Sequence, residues 1–315
     1  MNVDISARVK RLVENVEQVV FGKHDVVKLC VVGLLARGHI LIEDVPGIGK
    51  TTIAQAIARS IDCSFSRIQF TSDMLPSDIL GVSILDHKTN DFKFRPGPIF
   101  ANVVLADEVN RTPPKTQSAL LEAMSEYQVS VDGKTHTLPR PFIVMATQNP
   151  IEYEGTYTLP ESQLDRFILR VEIGYPPEED ELRIMRRRNP LKALEDLQPV
   201  LTGQGLLELQ DHVGDITVDD GVTRYMLAIA QATREHEQIQ LGASPRGALL
   251  FYEACQARAL VEGRDFVTPD DVKQMTVPVL GHRILVRSRG ADLGTAARER
   301  ERVLLEILKR TPIPV

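Results

Sequence analysis

The run "HILIEDVPGIGKTT", residues 39–52, constrains the fold more than any other stretch of the 315-residue chain. Ile40 to Ile42 read as a buried strand and Pro46 to Gly49 as a turn. From Lys50 onward a helix is predicted, with Ile53, Ala54, Ile57 and Ala58 as its packed face. In a turn of this composition (Pro46, Gly47, Ile48, Gly49), backbone N–H groups converge on an anion, helped by the helix N-terminus behind them. Lys50 can then reach the outer phosphates of a nucleotide, and the hydroxyl of Thr51, which Thr52 follows, can bind Mg²⁺. The pattern G-x-x-x-x-G-K-[ST] asks for glycine where Asp44 stands, so the strict motif fails at its first position. A strand-to-helix turn that merely contains Gly-Lys-Thr is the competing reading.

The stretch "NVVLADEVNR", residues 102–111, decides between them. An apolar strand that ejects Asp107 at its C-terminal end puts a carboxylate where ligands of open α/β sheets gather, beside the metal site. Glu108, next to it, can orient and deprotonate an attacking water. Alone, such a strand end reads as a solvated terminus. Downstream of a phosphate loop in the same chain it points to nucleotide hydrolysis.

Strand-like runs at "HILI", "FSRIQF", "VVLA", "FIVMAT" and "FILRVEI" alternate with helical or loop stretches, which predicts an α/β fold: a parallel-sheet αβα sandwich. Two more stretches, "VSILDHKTNDFKF" and "VSVDGKTHTL", read as inserted hairpins, the second turning at Asp132-Gly133. Ahead of the sheet, Val9, Leu12, Val13, Val16 and Val19 form one face of a first helix that Gly22 can close, and "HDVVKLCVVGLLARG" gives a second ended by Gly38. After Ile173 strand signals stop. "GYPPEEDELRIMRRRNP" opens a helix with acids first and arginines last, and Ser244-Pro245 and Thr268-Pro269 start two more. The chain is therefore divided into a nucleotide-binding part, 1–175, and a small all-helical lid, 176–315.

A formal net charge of −6 argues against permanent nucleic-acid binding. Cys30, Cys63 and Cys255 lack metal-ligand spacing and read as reduced thiols of a cytoplasmic protein. The N-terminal stretch lacks the apolar run of a signal peptide, and no segment approaches an integral membrane span.

"EDVPGIGKT", "LADEVNRTPPKTQSALLEAM", "ATQNPIEYEGTYTLPESQLDRF" and "SPRG" together resemble the MoxR family of AAA+ ATPases, in the right order and from about residue 15 to 290. The family tolerates a residue other than glycine at the position of Asp44. The resemblance implies that Asn149 is sensor 1, holding the lytic water with Glu108. It implies that Arg166 is an arginine finger delivered to a neighbouring subunit's nucleotide, and that Arg246 is sensor 2, in its own subunit or across an interface. "FGKHDVV" resembles the segment that wraps adenine, with Val20, Phe21 and Gly22 as contacts. Competing readings are a loop-starting Asn149 and an ion pair of Arg166 with Asp165 or Glu161; Arg111, which could be an interface or finger-assisting cation, reads rather as a surface salt bridge.

The resemblance implies ATP with Mg²⁺ as cofactors and a homo-oligomeric ring, a hexamer, that remodels or matures a protein client. It also implies a partner with a von Willebrand factor A domain, with the hairpins facing pore or client. The rivals are a helicase-like nucleic-acid motor and a metal-chelatase-type motor subunit. Against the first, Lys88, Lys93 and Lys134 at the hairpin tips are interleaved with Asp86, Asp91 and Asp132, whereas a strand-tracking groove would normally add stacking aromatics to net positive charge.

Overall fold

The computed structural model describes residues 3–149, 157–186, 190–287 and 293–314. The predicted segments at 150–156 and 187–189 lie outside them. Two helices come first, α1 (Val3–Glu17) and α2 (His24–Leu35). The first ends before Val19, although Val9, Leu12, Val13, Val16 and Val19 are all buried as their spacing predicts.

The five predicted strands are β1 (His39–Glu43), β2 (Phe65–Gln69), β5 (Val103–Asp107), β8 (Ile143–Gln148) and β9 (Phe167–Val171). They form one sheet in the order β2-β5-β8-β1-β9, every pairing parallel. Helix α3 (Lys50–Ser60) follows β1. Between β2 and β5 lie the short α4 (Pro76–Leu80) and the antiparallel hairpin β3 (Gly81–Asp86) and β4 (Asp91–Pro96). Helix α5 (Pro114–Glu126) then leads into the hairpin β6 (Gln128–Val131) and β7 (Lys134–Thr137). That hairpin turns at Asp132 and Gly133, both at positive φ, as the Asp-Gly pair requires. The one-turn helix α6 (Glu161–Leu164) precedes β9.

Alternate residues of each central strand face opposite layers. Ile40, Ile42, Val103, Leu105 and Met145 pack with α1, α2 and α3, whereas Leu41, Val104, Ala106 and Val144 pack with α5 and the loops beside it. The sandwich expected from the sequence is thus present, built on Val- and Ile-rich strands buried on both faces.

Beyond β9 come α7 (Glu178–Arg186), α8 (Pro190–Glu195), α9 (Gly203–Val213), α10 (Asp220–Glu235), α11 (Pro245–Val261), α12 (Pro269–Leu280) and α13 (Leu293–Arg310). Ser244 caps α11 by accepting from the Gly247 N–H, and Thr268 forms a capping box with Asp271 at the start of α12. One expectation is corrected: strands do not end where the strand signals end, at Ile173. β10 (Ile239–Leu241) pairs antiparallel with β11 (Leu285–Val286), pieces of three and two residues that are too short to leave a periodicity. The apolar face of these helices is continuous with α1 and α2, and ion pairs Arg8–Glu208, Arg37–Asp211 and Lys28–Glu262 rim the junction. Among the described residues no helix is long and apolar enough to cross a membrane.

Candidate functional site

All five central strands point the same way, so their C-terminal ends share one edge of the sheet. The loop from Asp44 to Gly49 leaves that edge from β1. Gly47 and Gly49 sit at φ +86° and +93°, conformations a side chain resists, and nothing lies within 4 Å of the Cβ that either lacks. The loop therefore borders open space ahead of α3. Lys50, the first residue of α3, donates from Nζ to the Asp44 carbonyl at 2.5 Å.

Asp44, the residue that breaks the strict motif, is itself a connector. Its Oδ2 accepts from the backbone N–H of Ile173 (2.7 Å) and Gly174 (2.6 Å), and its Oδ1 from Val45 at 2.8 Å. A glycine could not tie the loop to the chain leaving β9.

A cavity of about 500 Å³ opens over the loop. Pro46, Gly47, Ile48, Gly49, Thr51 and Thr52 line one side of it. The other wall is mostly apolar, with Val20, Phe21, Ile173, Ile184 and Leu194. Phe21 is covered by the guanidinium of Arg183, 4.6 Å from its ring centroid. Gly22, at φ +66°, lines an adjoining cavity with Phe21, and Asp180 of α7 approaches so closely that a side chain there would meet it. The segment read as an adenine wrap thus lies beside the phosphate loop. His24 is at the surface, 2.5 Å from Glu17.

Asp107 ends β5 at the same edge, separated from β1 by β8 alone, roughly 10 Å away at ordinary strand spacing. Its Oδ1 accepts from the Thr147 hydroxyl (2.6 Å), and its Oδ2 pairs with Arg67 of β2 at 2.5 Å. Glu108 adopts a left-handed conformation, φ 58° and ψ 49°, rare for a glutamate. Thr147 holds it there by accepting the Glu108 N–H at 2.9 Å, so a single hydroxyl positions both acids. The Glu108 carboxylate accepts from Gln69 Nε2 at 2.8 Å and pairs with Arg111 at 3.0 Å. Asn149 follows β8 two residues beyond Thr147 and is buried.

Sequence reasoning missed Arg67, Gln69 and Thr147. The signal for the first two was two long polar side chains at alternate positions of "FSRIQF", a strand whose Gln69 lies in register with Asp107.

Arg166 and Arg246 are elsewhere. Arg166 immediately precedes β9, whose first residue pairs with His39 at the start of β1, so it lies at the N-terminal edge of the sheet. Arg246, the second residue of α11, lines with it a separate cavity of about 430 Å³ that also contains Gly38, His39 and Glu253. Five residues of strand, roughly 13 Å, separate this edge from the phosphate loop. Arg166 Nη1 donates to the Ser125 hydroxyl (2.5 Å) and to the Leu121 carbonyl, both in the C-terminal half of α5. Asp165, one of the two ion-pair partners weighed for it, instead bonds Arg283 and Ser244. His39 is buried, and burial lowers its pKa to about 4. It therefore stays neutral, accepting from the Val144 N–H at Nδ1 (3.0 Å) and donating from Nε2 to the Met124 carbonyl at 3.0 Å.

Residues 39–169 match the family described as "ATPase family associated with various cellular activities (AAA)", and residues 231–307 match the AAA lid domain. The chain is 47% identical over 312 residues to the uncharacterised protein YeaC of Bacillus subtilis, covering 99% of this chain and 97% of that one. It is 42% identical over 288 residues to Chaperone MoxR1 of Mycobacterium tuberculosis, covering 88% and 75%. The crystal structure of a candidate ATPase from Cytophaga hutchinsonii superposes with a TM-score of 0.88 at 35% identity, covering 99% of this chain and 96% of that one.

Proposed function

The chain belongs to the MoxR family of AAA+ ATPases, and on that premise we propose that it hydrolyses ATP with Mg²⁺ at seams between copies in a homo-oligomeric ring. The observation that carries this reading is the division of the candidate residues between two edges of one sheet. The phosphate loop, Asp107, Glu108 and Asn149 gather at one edge, Arg166 and Arg246 at the other. Neither arginine serves its own chain's nucleotide; both face the nucleotide of the next copy, which leaves each subunit incomplete alone.

The residues fit the ligands. The open space over Gly47 and Gly49 suits a polyphosphate, and the wall of Val20, Phe21 and Ile173 suits a purine. The Thr51 hydroxyl and the Asp107 carboxylate are hard oxygen donors on neighbouring elements and would hold Mg²⁺. The ion would neutralise charge on the phosphate oxygens. The Glu108 carboxylate accepts the proton of the attacking water, and Asn149 orients that water from β8. Gln69 and Arg111 hold the Glu108 carboxylate until the site is assembled. Arg166 and the Arg246 of the neighbour offset charge building on the terminal phosphate, an effect of about 10³ to 10⁵ in rate for such a cation.

We assign the output of this cycle to remodelling or maturation of a protein client, supported by the chaperone name of a relative. A hexamer, a von Willebrand factor A domain partner and hairpins facing the client complete the proposal, with the nucleotide-binding part at 1–175 and the lid at 176–315.

The test is complementation. Glu108→Gln and Arg166→Ala are each expected to bind ATP and to lack turnover, while a mixture of the two regains it at seams joining an intact Glu108 to an intact Arg166. Normal turnover by Arg166→Ala alone would refute the shared site.

A further inference from the structure

We infer that Asp165, with Ser244 and Arg283, forms a bracket that fixes Arg166 and Arg246 relative to each other, making these three the positioning residues of the shared site. The inference rests on reading Arg166 and Arg246 as cations for a neighbour's nucleotide.

The two arginines come from unrelated elements, one from the entrance to β9 and the other from the first turn of α11. Nothing in the covalent chain sets their spacing, and both side chains are long. Yet two cations that share one polyphosphate must hold a fixed separation, and about 1 Å of misplacement can cost about 10²-fold in rate.

One carboxylate supplies the link. Asp165 is the residue before Arg166; its Oδ2 accepts from the Ser244 hydroxyl at 3.1 Å, and its Oδ1 accepts from Arg283 Nε at 2.9 Å. Ser244 lies two residues before Arg246 and caps the helix that carries it. The Ser244 oxygen therefore both accepts the Gly247 N–H (2.9 Å) and donates to Asp165, joining the cap of α11 to the base of Arg166.

Arg283 locks the carboxylate in place. Its side chain is 1% exposed and also donates to the carbonyls of Ile168 (3.0 Å), Phe167 and Val279. It thus spans the start of β9, the end of α12 and Asp165. Burial pushes its pKa down to about 10 while Asp165 opposes the shift, so it remains a cation at neutral pH. Its stem passes α11 where that helix has glycine: a Cβ on Gly247 would stand 2.9 Å from Arg283 Cδ. In "SPRG" each residue but the proline then has a separate duty, the serine bridging to Asp165, the arginine facing the cavity and the glycine making room for Arg283.

The experiment uses the full chain carrying Asp165→Asn or Ser244→Gly, the latter keeping an acceptable helix cap while losing the hydroxyl. Three quantities are read: affinity for a fluorescent ATP analogue, turnover alone, and turnover mixed with Glu108→Gln. The expected result is affinity within about threefold of the parent, turnover alone lowered about tenfold or more, and recovery on mixing, because the Glu108→Gln copies supply correctly held arginines. Ser244→Gly carries the test by itself should Asp165→Asn not fold. Turnover within about twofold of the parent in Ser244→Gly or folded Asp165→Asn, while Arg166→Ala is inactive, overturns the bracket and leaves the cation reading intact. Joint loss of affinity and turnover with no recovery on mixing also overturns it, showing a role in the fold alone. Normal turnover by Arg166→Ala defeats the underlying reading first.

Discussion

Asp44→Gly restores the strict phosphate-loop pattern, and the structure says that it should weaken the protein. The carboxylate accepts from the Ile173 and Gly174 N–H groups at 2.7 and 2.6 Å, and Ile173 is buried, so the substitution removes the acceptor of two backbone donors. Hydrogen bonds to a charged group contribute about 1.5–3 kcal/mol each. Asp44 is half-buried, which puts the pair near the lower end. Glycine adds about 0.5–1 kcal/mol of unfolded-state entropy at a position that does not need positive φ. The sum is a loss of about 3–4 kcal/mol, measurable as a shift in the denaturant midpoint at unchanged slope. Asp44→Asn, which keeps one acceptor oxygen, should lose about half as much. Asp44→Gly at or above the parent's stability would refute the reasoning and return the aspartate to the status of a tolerated irregularity.

Glu108→Gln should lower turnover by about 10² to 10⁴ with nucleotide affinity retained, measured by phosphate release beside equilibrium binding. His39 titrates near 4 folded against 6.5 unfolded, so the unfolded chain binds the proton more readily. Its contribution to stability is whole above pH 6.5 and falls by about 2 kcal/mol by pH 5; the parent should lose that much more than His39→Gln over this range in denaturant titrations. Burial raises the thiol pKa of Cys30 to about 12 and of Cys63 to about 11, so both should react with a thiol reagent at pH 8 far more slowly in the native protein than after unfolding.

The fold was legible wherever the signal is local. The strand ahead of Asp107, the Asp132-Gly133 turn and the caps at Ser244 and Thr268 each announce themselves within a few residues. Helix α9 was not legible, because its first turn, "GQG", has poor helix propensity and Thr202 alone marks its start. In the candidate site, Lys50, Thr51, Asp107 and Glu108 could be singled out because their spacing within each motif is short. Asp44, Thr147 and Arg283 could not, since each acts on a partner about a hundred residues or more away, or on two elements at once: Asp44 on Ile173, Arg283 on Asp165, and Thr147 on Asp107 and Glu108 together. The edge of the sheet at which Arg246 lies was equally hidden, because only the parallel register of β1 and β9 separates the two edges.

That separation has an arithmetic consequence. On the proposed reading, in which Arg166 and Arg246 serve a neighbour's nucleotide, a solitary chain carries two half-sites that face away from each other, so it has none complete; an open row of n copies has n − 1, and only closure gives n. Activity per chain should therefore climb more steeply than concentration until the circle shuts. A partner that merely breaks or seals one joint would then act as a switch without touching a single nucleotide contact.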